Sequence, residues 1–128
     1  MDPAFLDAVR RGDALDVKGR IEQGAAIDAF DRYGQTALML AAHAGHRDVV
    51  ETLIAHHAKL DVAAKFGLTA LMLALVGGHE EVARLLVNAG ADLAPKGSGV
   101  PGFAGKSAFD MALERGMTDL LAILMPKA

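Results

Sequence analysis

A chain of 128 residues has room for one small domain and none for two large lobes. Apolar residues at 52% are enough to build a core, and charged residues at 23% are too few for a disordered chain. A formal charge of -3 leaves no basic field to hold a nucleic acid backbone or an anionic bilayer, and the lack of Cys removes disulfides, thiolate chemistry and Cys-ligated zinc.

Met1 to Arg20 shows neither the basic start nor the apolar stretch of a signal peptide, and no run reaches membrane-spanning length. The expectation is a cytoplasmic chain, with a periplasmic or secreted location as the alternative if a leader has been removed.

Taken in order, residues 1–31 mix Arg10, Arg11, Asp13, Asp16, Lys18 and Arg20 with apolar side chains, the composition of a solvent-facing end. In residues 32–64, Thr36 offers the short side-chain oxygen of an N-cap, Leu38, Ala41 and Ala42 make a narrow apolar stripe, and Gly45 is placed to end the helix. A second helix is predicted from about Arg47, burying Val50, Leu53 and Ile54. Residues 65–96 repeat the plan, with Thr69, Gly78, a helix from about Glu80 that buries Val82, Leu85 and Leu86, and Gly90 as its close. The segments from about Leu60 to Gly67 and from Leu93 to Gly105 are predicted as extended fingers between helix pairs. Residues 97–128 end in Leu120, Leu121, Ile123, Leu124 and Met125, more apolar side chains than one buried stripe holds. The segment from Met117 to Met125 is expected to fold over its neighbour, with a partner-facing role as the alternative.

The plan has a period. Gly34 recurs as Gly67, Thr36 as Thr69, Gly45-His46 as Gly78-His79 and Leu53 as Leu86, each at an offset of 33 residues. Gly67 to Leu71 reappears as Gly105 to Phe109 at an offset of 38, so the fourth unit carries five extra residues, placed at 97–102. The strings Gly34 to Ala42 and Gly67 to Ala74, at this period, resemble the ankyrin repeat. The Gly-His turns and Asn88 to Asp92 are similar to that family too. Ala37, Ala70 and Ala108 depart from its usual Pro, and Met39, Met72 and Asp110 from its usual His. The resemblance, closest in style to small bacterial ankyrin proteins, implies an all-α ankyrin-repeat solenoid of four helix-turn-helix units with extended finger loops, stabilised mainly by burial between neighbouring units.

No catalytic constellation emerges. Gly99 to Ser107 looks like a phosphate-binding loop, but its register puts Val100 where the first Gly belongs, no apolar strand precedes it, and Gly105 and Ser107 are the fourth copies of Gly34 and Thr36. Among the histidines, His43 and His46 are separated by Gly45, His46 and His79 are equivalent turn residues, and His56 and His57 point apart on a helix. The Ser and Thr residues sit as caps. No enzyme activity, metal or cofactor is expected.

The resemblance implies a concave face lined by finger tips and first helices. Here those positions are Arg32, Tyr33 and Gln35, then Lys65, Phe66 and Leu68, then Phe103 and Lys106, extended inward by His43, Val76 and Glu114. Three of the six aromatics fall at these tips, beside Arg32, Lys65 and Lys106. That pattern suggests a binding face for a protein with a carboxylate-bearing patch. The expectation is a monomeric protein-binding module that masks or inhibits a partner, possibly an enzyme, with the 97–102 insertion reaching into it. The alternative is a self-associating unit using the apolar last helix.

Overall fold

A computed structural model describes residues 1–99 and 103–125. Val100 to Gly102, half of the inserted stretch, and Pro126 to Ala128 lie outside the described residues. Among the described residues eight α-helices form four antiparallel pairs: α1 (Pro3–Arg11) with α2 (Ala14–Glu22), α3 (Ala37–Ala44) with α4 (Arg47–Ala55), α5 (Ala70–Val76) with α6 (Glu80–Asn88), and α7 (Ala108–Glu114) with α8 (Leu121–Leu124). The first helices stack side by side as one layer, α1 on α3, α3 on α5 and α5 on α7. The second helices make the other layer, α2 on α4 and α4 on α6, while α8 packs against α7. The described residues include no strand, only isolated bridges between Phe30 and Thr36 and between Gly97 and Ala104.

Short polar side chains start the first helices. Thr36 Oγ1 accepts the Met39 amide and Thr69 Oγ1 that of Met72, both at 3.3 Å. In the last unit Ser107 Oγ accepts the Asp110 amide at 3.3 Å while Asp110 Oδ2 accepts the Ser107 amide at 3.0 Å, a reciprocal capping box. Asp110 therefore stands in place of Met39 and Met72 for a local reason. The carboxyl of Asp110 is held below the usual aspartate range, first of all by the donated Ser107 amide.

The helices also stop as expected, with one shift. Gly45 caps α3 in the left-handed conformation, whereas α5 ends a residue earlier, at Val76, with Gly77 in a helical conformation and left-handed Gly78 following it.

Burial follows the stripes. Leu38, Ala41 and Ala42 of α3, Val50 and Leu53 of α4, and Val82 and Leu86 of α6 are inside, with Ile54 and Leu85 half-buried at the edge. The last helix is shorter than the predicted span: a 3-10 turn (Thr118–Leu120) leads into the four residues of α8. Leu120 and Leu124 are buried, Leu121 and Ile123 half-buried, and Met125 exposed. Between Ile123, the end of α6 at Val87 and the Gly90–Ala94 loop lies an open groove of about 490 Å³.

Candidate functional site

The fingers share one closure. Asp31 donates its amide to the Gln35 carbonyl at 3.0 Å, Ala64 to Leu68 at 2.9 Å and Gly97 to Lys106 at 2.9 Å. The third of these bonds spans five residues more than the other two, matching the 38-residue offset between Gly67 and Gly105.

Within that common base the turns differ. In the second unit Asp31 Oδ1 accepts the amides of both Tyr33 and Gln35 at 2.9 Å, an Asx-type turn that leaves Tyr33 in an ordinary conformation. Ala64 takes the place of Asp31 in the third unit and offers no such acceptor. Phe66 there is left-handed, with φ 64° and ψ 20°, a rare state for a bulky side chain. The fourth finger holds it: the Ser98 amide donates to the Phe66 carbonyl at 2.7 Å, and the Phe66 ring lies over Gly99, where a Cβ would come within 2.9 Å of Cδ1.

The result is two aromatic rings on consecutive fingers, Tyr33 57% exposed and Phe66 36%. Each carries a cation on its face, the Arg32 guanidinium 5.5 Å from the Tyr33 centroid and the Lys65 ammonium 5.2 Å from that of Phe66. Between the rings lies a depression of about 210 Å³ floored by Gln35, Ala64, Leu68 and Leu73. Neither Arg32 nor Lys65 has an ion-pair partner among the described residues.

The other expected face residues divide. His43 is exposed and Gln35 half-buried. Leu68, Val76 and Phe103 are half-buried and packed against the core, so Phe103 does not extend the exposed row and a three-ring row becomes two. Lys106, just before α7, and Glu114, at the end of α7, are committed to each other, Nζ to Oε1 at 2.6 Å and to Oε2 at 2.9 Å. The basic rim therefore consists of Arg32 and Lys65. Phe30, 65% exposed beside the second finger, escaped the sequence reading. Its equivalents Ala63 and Lys96 are small or charged, and a large apolar residue in that register was the available signal.

Two of the five histidines, His46 and His79, bridge neighbouring units. Nε2 of His46 donates to the Arg10 carbonyl and Nε2 of His79 to that of His43, both at 3.0 Å; the carbonyl acceptor requires the proton on Nε2. Nδ1 of His56 donates to the Thr52 carbonyl at 2.9 Å. Among the described residues no three His, Asp or Glu side chains gather as a metal site, and no helix is long and apolar enough to cross a membrane.

This helix-pair stack with projecting fingers is the architecture of repeat proteins that recognise other proteins. The family model "Ankyrin repeats (3 copies)" matches residues 5–97, and the chain belongs to the ankyrin-repeat family, whose repeats are generally non-enzymatic protein-interaction modules. It is 38% identical over 54 residues to ankyrin repeat-containing protein F37A4.4 of Caenorhabditis elegans, covering 42% of this chain and 5% of that protein. Against osteoclast-stimulating factor 1 it is 37% identical over 54 residues in Monopterus albus, covering 42% of this chain and 25% of that protein. The Bos taurus protein of that name gives 34% over 53 residues, 41% of this chain and 25% of its own length. The chain thus spans a quarter or less of these three relatives.

Proposed function

We propose that the finger side docks a protein bearing a carboxylate-rich patch, and that the module acts by covering that surface, with an enzyme as the masked partner. The observation that supports this is the pair of ring-and-cation units, Arg32 with Tyr33 and Lys65 with Phe66, on either side of a shallow depression. Rigid aromatics give contact area at small entropic cost, and unpaired cations beside them select acidic neighbours. The strained conformation of Phe66 adds to the argument, since such a residue persists where its surroundings hold it for a purpose.

Affinity capture with wild type beside a Tyr33→Ala/Phe66→Asn variant tests the reading. Asn tolerates the left-handed conformation, so the turn survives while the ring is lost. A partner that wild type retains and the variant releases is expected, and capture of the same partners in equal amounts by both overturns the proposal.

A further inference from the structure

The two ends of the stack are finished differently. Along the chain, residues at equivalent positions fall into those facing the preceding unit and those facing the next. Asp7, Leu40, Leu73 and Met111 form one register of the first kind, and the others are Asp16, Val49, Val82 and Leu120, then Arg20, Leu53, Leu86 and Leu124. In the first unit, where nothing of the described chain precedes, all three registers hold charges. These charges pair, Arg11 with Asp7 at 2.8 Å and Asp16 at 2.7 Å, and Arg20 with Asp16 at 3.0 Å. That end is sealed for water.

The registers facing the next unit show no such finish. Phe5, Leu38 and Leu71 are each 1% exposed, and Val9, Ala42 and Leu75, like Val17, Val50 and Ala83, are 0%. Their counterparts in the last unit remain large and apolar: Phe109 and Leu121 are half-buried and Leu113 is 53% exposed. Met125, whose equivalents Ile21, Ile54 and Val87 are half-buried, is 58% exposed. The same side chains that join each unit to the next are thus presented at the C-terminal end with nothing described against them.

We propose that this end is the interface of an isologous homodimer, in which Phe109, Leu113, Leu121 and Met125 of two copies of the chain pack together across a two-fold axis. The face continues the interface that runs through the stack, so its shape suits helices of this same kind. The opposite end of another copy is excluded, because docking there would bury the Arg11–Asp7–Asp16 network against apolar side chains without compensation. A second C-terminal end matches apolar surface with apolar surface and closes on itself, with no filament. The inference is independent of the finger-side reading.

Sedimentation velocity of the 128-residue chain, from about 1 μM to about 1 mM, tests it. A reversible dimer is expected, with Leu113→Glu and Met125→Glu each raising its dissociation constant about tenfold or more and leaving the helical circular dichroism unchanged. Leu113→Ala, which adds no charge and keeps the helix, is expected to weaken it in the same direction. A monomer throughout, a dimer indifferent to all three substitutions, or species growing beyond two copies overturns the proposal. The Tyr33→Ala/Phe66→Asn variant is expected to dimerise as wild type, so failure here and failure of the finger-side reading are separately visible.

Discussion

The ring of His79 bridges two units, donating from Nε2 to the His43 carbonyl at 3.0 Å while lying flat against Gly45, where an added Cβ would meet the ring at 2.6 Å. The same ring leaves no space at Gly77, where a Cβ would come within 2.6 Å of His79 Cδ2 and 2.7 Å of the His43 carbonyl. His46 repeats the arrangement one unit earlier with Arg10 and Gly12.

This contact sets the cost of substitution at the neighbouring glycines. Gly77 has a helical φ of −77°, so on backbone grounds alone Ala would stabilise by up to about 1 kcal/mol. The expected outcome has the opposite sign, a loss of about 1–3 kcal/mol in urea unfolding, because the carbonyl cannot yield as a side chain can. Gly45→Ala is expected to cost about 2 kcal/mol or more, combining the clash with a φ of 79°. His79→Ala removes the hydrogen bond and is expected to cost about 1 kcal/mol.

His57 is a left-handed residue, φ 65°, at a position where the neighbouring units have Gly24 and Gly90, with φ 99° and 100°. No hydrogen bond of its side chain is present among the described residues, and the residue is exposed. His57→Gly is expected to stabilise the chain by about 1 kcal/mol, read as a higher urea midpoint with an unchanged slope. An unchanged or lower midpoint counts against the strain.

The capping box gives a pH dependence. Asp110 has a folded-state pKa below its unfolded one, so its contribution is fully present above about pH 4, the ordinary aspartate value, and is lost as pH falls through the lowered value. Asp110→Ala is therefore expected to be less stable than wild type at pH 7, with the gap closing in acid as pH falls through and below the lowered value. Ser107→Ala is expected to cost about 1 kcal/mol at pH 7.

On the finger side, Arg32→Ala and Lys65→Ala are expected to leave thermal unfolding within about 0.5 kcal/mol of wild type, since exposed cations over rings contribute little to folding. Partner binding is expected to weaken with each and to fall with rising salt in wild type, measured by calorimetry at two ionic strengths. Salt-independent binding would remove the acidic-partner reading.

Period and cap chemistry were legible from the residues because both are local. Thr36, Thr69 and Ser107 announce helix starts through a side-chain oxygen that reaches only three residues ahead, and the 33-residue repeat of Gly-His marks the turns. The ion pairs at the first unit were foreshadowed by its charge-rich composition. The finger face was legible in part: Tyr33 and Phe66 stand out by their shared register, whereas Phe103 lies one residue off it and is packed against the core, which no spacing rule encodes. Lys106 and Glu114 lie eight residues apart, one just before α7 and the other at its last residue, a spacing that no i,i+3 or i,i+4 rule pairs.

Residue order alone therefore decided that this chain stacks helix pairs, and where the first helices of the last three units start, because capping and apolar periodicity act over a few residues. Which side chains stay exposed on the finished stack was decided only in three dimensions. Exposure at Tyr33, Leu113 or Phe103 depends on what a neighbouring unit places against it, and that neighbour is set by packing across some thirty residues of chain.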